Sequence, residues 1–283
     1  MIEEGRAAPM YPVLASLGDF RLYTHDVFSV LAVMVGLAIY YRELRARGIL
    51  DERIVLVSAA VVLGGVIGAR TITAWENLDE MGRAIQVGVP PTWVILHGNK
   101  SILGGLAGGF VAGVLAKRAL GYTRSTGDAY ALAIAVATAI GRVGCLLSEL
   151  PLGTPTSLPW GISVSAEAAA AFARCPGCDV PMHPSMAYEI GFNVVAAALI
   201  VRFGRHVPVP GDLLKLYLLA AFTFRFFVEF VRGNEVQLLG LTGPQIVLVP
   251  LLAWLAIHFL RRYRARAWRL PEPPLPLGRE VAR

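Results

Sequence analysis

Seven stretches of the chain are long, apolar and nearly free of charge: residues 27–42, 54–75, 101–120, 128–150, 186–203, 212–231 and 244–260. An α-helix needs about twenty such residues to cross the hydrocarbon of a bilayer, and only the first run is short by that measure. The pattern predicts an all-α fold, a polytopic membrane helix bundle with about seven transmembrane helices. It forms one helical domain over residues 1–270, with outer loops at 76–100 and 151–185. The tail from Pro271 carries four prolines by Pro276, so residues 271–283 read as a disordered cytoplasmic tail.

Composition supports the membrane reading, because only 16% of the 283 residues are charged and 55% are hydrophobic. Soluble domains carry about 25% charged residues. The 26 basic residues give the orientation: 17 fall in connections on one side, six on the other, and three lie inside spans. By the positive-inside rule the N-terminus is outside and the C-terminus inside. The net charge of +6 is therefore mainly a topology signal, and the Arg261–Arg269 cluster reads as an anchor for anionic lipid, with no nucleic acid implied. Met1 to Asp26 lacks the apolar core and cleavage site of a removable signal peptide.

Charge inside the apolar runs is where chemistry is expected. In Phe224-Arg225-Phe226-Phe227-Val228-Glu229-Phe230-Val231-Arg232, spacings of four and three put Arg225, Glu229 and Arg232 on one helical face. An arginine at mid-membrane costs about 2.5–3.5 kcal/mol on insertion scales, so such residues line a protein interior, a wet cavity or a ligand site. Arg70, Arg142 and Arg225 each fall late in a span that runs outward, which puts all three in the outer half of the membrane. His25, Asp26, Ser101, His183, Tyr188, Glu189 and Gln245 reach the same level. Small residues around Arg142, in Gly141-Arg142-Val143-Gly144, permit close approach of a ligand or helix.

Other features leave their alternatives open. His25-Asp26 is either a helix cap or part of the site. Cys175-Pro176-Gly177-Cys178 in an outer loop reads as a local disulfide, a redox pair or a zinc site with His183, although four zinc ligands are not at hand and no metal is expected. No phosphate-binding loop, dinucleotide fingerprint or hydrolase motif is present, and no cofactor is expected.

Four motifs in order, Gly141-Arg142-Val143-Gly144, His183-Pro184-Ser185 with Tyr188-Glu189, Arg225-Phe226-Phe227-Val228-Glu229-Phe230 with Arg232, and Leu241-Thr242 with Gln245, resemble those of the bacterial prolipoprotein diacylglyceryl transferases. Gly68-Ala69-Arg70 and the Gly104-Gly105-Leu106 step are similar as well. The resemblance covers nearly the whole chain. It implies a multi-pass protein of the bacterial plasma (inner) membrane, with its active site toward the outer leaflet. It also implies transfer of the diacylglyceryl group of phosphatidylglycerol to the thiol of a lipobox cysteine, releasing glycerol phosphate. There are departures. Leu103 stands where the family has histidine, Cys145 and Ser148 stand where it has asparagine, and Glu149 arrives one residue early.

For that reaction Arg142 and Arg225 would hold the phosphate, with Arg70 and Arg232 supporting and Gly144 and Tyr188 lining the substrate site. Glu229 is either the base or the counter-ion of its arginine neighbours. His25 and His183 are the candidates to replace the missing histidine. Three other readings remain open: a protein that binds or presents an anionic phospholipid without turnover, a transferase with a different acceptor, and arginines that pair with Glu229, Glu149 and Glu189 only to lock helices together.

Overall fold

The computed structural model describes residues 13–17, 20–71, 82, 85–86, 88, 90, 102–148, 153–163, 180–234 and 236–265. Among them are seven helices of 17 to 23 residues: α1 (Thr24–Ala46), α2 (Arg53–Thr71), α3 (Ile102–Ala119), α4 (Gly127–Ser148), α5 (Ser185–Phe203), α6 (Asp212–Val228) and α7 (Gly243–Arg264). Each coincides with one of the apolar runs. Five of them, α1, α2, α4, α5 and α7, are long and apolar enough to cross a membrane. Two small antiparallel hairpins interrupt the helical pattern: β1 (Val13–Leu17) with β2 (Phe20–Tyr23), and β3 (Val236–Leu238) with β4 (Leu241–Thr242). Cys175, Cys178, Ser101, Glu149 and the tail from 271 lie outside the described residues, as does most of the 76–100 loop.

By packing, residues 45–124 form one compact unit, and residues 1–44 with 125–283 form another. In the 45–124 unit α2 and α3 meet backbone to backbone. A Cβ on Gly64 would lie 2.7 Å from the Gly108 carbonyl oxygen, and one on Gly68 would lie 2.8 Å from Gly108 Cα. Gly64-x-x-x-Gly68 and Gly104-x-x-x-Gly108 are thus the small-residue faces that let two apolar helices touch where lipid offers no hydrophobic drive. At one end of this pair the Tyr122 hydroxyl donates to the Ile49 carbonyl at 2.6 Å and Arg124 donates to that of Gly48 at 2.9 Å.

In the other unit α4 is the central helix, alanine-rich and packed against α5 and α6. Ala131 and Ala135 of α4 join Leu213 and Tyr217 of α6 in a buried core. The Asp128 carboxylate, in the first turn of α4, accepts backbone N–H bonds from Gly211 at 2.8 Å and Leu213 at 3.0 Å, so one helix caps the orphan donors of another. Asp212, also at that end, is wholly buried and meets His258 at 2.9 Å, Lys215 at 3.1 Å and Arg262 at 3.4 Å, which ties α6 to the end of α7.

The β3–β4 hairpin turns on Leu239-Gly240, with φ of 52° and 77°. Positive φ at both central residues gives the turn whose twist matches the strands. Glycine adopts it freely, whereas a leucine there costs about 1–2 kcal/mol.

Candidate functional site

The site lies where the far ends of α4 and α6 meet the start of α5 and α7. α6 ends at Val228 and tightens into a 3₁₀ turn over Glu229–Val231, which carries Glu229 and then Arg232 back toward α5. The i, i+4 and i, i+3 geometry predicted from spacing is present: Arg225 Nη2 lies 2.7 Å from Glu229 Oε2, and Arg232 Nε lies 3.9 Å from it.

A second carboxylate organises the cluster across helices. Glu189, in the first turns of α5, meets Arg142 Nε at 2.5 Å, Arg232 Nη1 at 2.9 Å and Arg225 Nη1 at 3.4 Å. Its residue is 5% exposed, and Glu229 is 1% exposed. Burial of these charges in low dielectric is tolerable only because each carboxylate is paired and hydrogen-bonded. Glu229 Oε1 accepts from Asn234 Nδ2 and from Thr242 Oγ1 at 3.1 Å. Gln245 then fixes Thr242, accepting its backbone N–H at 2.9 Å and donating to the Phe226 carbonyl at 3.1 Å.

Below Glu189 a buried chain continues: Asn193 donates to the Glu189 carbonyl at 2.8 Å, and the Tyr217 hydroxyl donates to Asn193 Oδ1 at 2.8 Å. Arg142, 7% exposed, also directs Nη1 toward Met186 Sδ at 3.5 Å and Cys145 Sγ at 3.8 Å. Sulfur is a weak acceptor, so these contacts leave donor capacity on Arg142.

His183 and Tyr188 form a separate polar chain at the same end of the unit. Trp160 Nε1 donates to the Tyr188 hydroxyl at 2.8 Å, and that hydroxyl is 3.1 Å from His183 Nδ1. The backbone of residues 153–154 laces this segment to the arginine turn. Thr154 N donates to the Val231 carbonyl at 2.8 Å, His183 N donates to the Thr154 carbonyl at 2.9 Å, and a Cβ on Gly153 would lie 2.5 Å from Val231 O.

His25 and Asp26 are the second and third residues of α1, which starts three residues earlier than the apolar run, with 3.7 Å between Nδ1 and Oδ1. His25 Cα would be 3.6 Å from a Cβ on Gly144, and Phe28 Cβ only 2.5 Å, so Gly144 is required for α1 to pass two residues from Arg142. Arg70 lies in the last turn of α2, in the 45–124 unit.

Of the residues singled out from sequence, Arg142, Arg225, Arg232 and Glu229 converge directly, and Gly144, His25, His183 and Tyr188 border them. Glu189, placed at the same level by the sequence, is the shared hub; Asn234, Asn193 and Trp160 were missed. A carboxylate and an amide one turn apart in an apolar run, Glu189 and Asn193, were the available signal.

Fold and site together define an integral-membrane helical protein whose buried cluster sets three guanidinium groups against two carboxylates among the described residues. The family model for prolipoprotein diacylglyceryl transferase matches residues 12–261, and the chain belongs to that family. Among relatives named phosphatidylglycerol–prolipoprotein diacylglyceryl transferase, that of Frankia alni is 31% identical over 80% of this chain and 59% of its own length. That of Leifsonia xyli is 29% identical over 92% of this chain and 80% of its own length. The Clostridium tetani protein, 23% identical, is matched over 90% of this chain and 99% of its own length.

Proposed function

We propose that the chain transfers the diacylglyceryl group of phosphatidylglycerol to the cysteine thiol of a prolipoprotein in the bacterial inner membrane, releasing glycerol phosphate, and that the arginine cluster holds the lipid phosphate. The observation that carries the reading is the unbalanced cluster: among the described residues Arg142, Arg225 and Arg232 pair with two carboxylates, Glu189 and Glu229. One phosphate would neutralise the surplus. Forked guanidinium donors in a site of low dielectric suit an anion whose charge grows as the bond to carbon breaks.

In the reaction the acceptor sulfur attacks the glycerol carbon that bears the phosphate. The S–C bond forms, the C–O bond breaks, and its electron pair leaves on glycerol phosphate. The thiol proton goes to a base. His183 fits that role in the tautomer whose Nδ1–H donates to the Tyr188 hydroxyl, because Nε2 then offers its lone pair. His25, beside Gly144, is the second candidate. Membership of the family favours turnover over mere lipid binding.

The test is release of glycerol phosphate by the purified chain supplied with phosphatidylglycerol and a lipobox peptide. Arg142→Ala and Arg225→Ala should each lower turnover at least about 10²-fold while leaving a folded protein, on the scale of losing one preorganised donor. Full activity in either variant would remove the phosphate role. Binding of the lipid without release by the unsubstituted chain would instead make it a lipid-presenting protein.

A further inference from the structure

We propose that the β3–β4 hairpin is an interfacial anchor: its tip, Leu238-Leu239-Gly240, enters the boundary region of the bilayer while its base holds Glu229 in place. The starting point is a misfit. The turn demands positive φ at two positions that Asn, Asp or Gly fill easily, yet Leu239 takes one of them at φ 52° with 90% of its surface exposed. In water such a residue loses twice, by backbone sterics and by an uncovered apolar side chain. Against acyl chains the second loss becomes a gain.

The rest of the hairpin fits a lipid partner. Val236 and Leu238 of β3 are 64% and 59% exposed, and the run Val236-Gln237-Leu238-Leu239 carries no charge. Depth follows from connectivity. β4 runs directly into the first turn of α7, a helix long and apolar enough to span, and a strand rise of about 3.3 Å per residue keeps the tip within about 10 Å of that helix end. Phe227 and Phe230, on the preceding turns, are likewise large apolar side chains more than half exposed.

The base of the hairpin connects this anchor to the site. Asn234, just before β3, and Thr242, in β4, both donate to Glu229 Oε1, and Glu229 pairs with Arg225. Lipid contact at the tip therefore steadies the residue that aims the arginines. The anchor rests on the spanning character of α7, and only its effect on turnover rests on the transferase reading.

The experiment uses the full chain in vesicles of phosphatidylcholine and phosphatidylglycerol, with the fluorescent amino acid dansylalanine at position 239. Emission should be blue-shifted relative to the same probe at the exposed Glu52, and quenched by lipids brominated on their acyl chains. Water-like, unquenched emission overturns the proposal. So does a blue shift seen only on adding a lipobox peptide, which would make the tip an acceptor dock. In parallel, Leu239→Asn, which suits the turn better, should keep or raise the melting temperature and leave glycerol phosphate release in detergent unchanged, but cut release from vesicles several-fold. Undiminished release from vesicles overturns the link to Glu229. A chain that releases no glycerol phosphate in any setting refutes the transferase reading and leaves the fluorescence result to decide the anchor.

Discussion

At Arg225 one side chain serves two carboxylates at once, through Nη1 to Glu189 and Nη2 to Glu229. A lysine has a single nitrogen and cannot span them, so Arg225→Lys keeps the charge and loses the geometry. Turnover should fall at least about 10²-fold in Arg225→Lys, close to the loss in Arg225→Ala; steady-state kinetics of glycerol phosphate release checks this, and near-normal activity would mean that charge alone suffices. The sequence made part of this cluster legible. Arg225, Glu229 and Arg232 are neighbours by helical spacing, so their pairing follows from local geometry. Glu189 was legible as a possible arginine partner at the same depth, but not as the hub of all three, because it lies 36 residues before Arg225 and meets it through the packing of α5 on α6. The Trp160–Tyr188–His183 chain was hidden for the same reason: a proline-rich loop gives no register from which a long-range hydrogen bond could be read.

Among the helices, glycine carries two different meanings that look alike in sequence. Gly68 faces the α3 backbone, where an added Cβ would meet Gly108 N at 3.1 Å and Gly108 Cα at 2.8 Å. Gly191 in α5 has nothing within 4 Å of that position. Gly68→Ala should therefore destabilise by about 1–3 kcal/mol, the usual cost of overpacking against atoms that cannot turn aside. Gly191→Ala should be neutral or stabilise by up to about 1 kcal/mol through helix propensity. Melting temperatures of the two variants in detergent should thus move in opposite directions, and a shared direction would contradict the close α2–α3 contact. Helix positions were legible from apolar run length because a bilayer sets that length. The hairpins were not, since β3 and β4 span only three and two residues and their order comes from Glu229 and the start of α7.

Across the unit of residues 1–44 and 125–283, the two polar ends have opposite character. The arginine–glutamate site gathers at the end of α4 and α6 and the start of α5 and α7. The other end gathers Asp212 with Lys215, His258 and Arg262, near Arg202 and Arg205 that close α5, and Arg261 and Arg264. Along α6 the 13 residues from Asp212 to Arg225 span about 20 Å at 1.5 Å each, so the site and the basic end stand most of a bilayer core apart. Whichever side receives the basic end, the site faces the other. We propose, from the positive-inside rule, that the basic end lies in the cytoplasm and the site toward the outer leaflet. A green fluorescent protein fused after Arg283 should accordingly fluoresce in cells, and an alkaline phosphatase fused there should be inactive. The reverse pattern would turn the site to the cytoplasmic leaflet, and the acceptor would then have to be modified before it crosses the membrane.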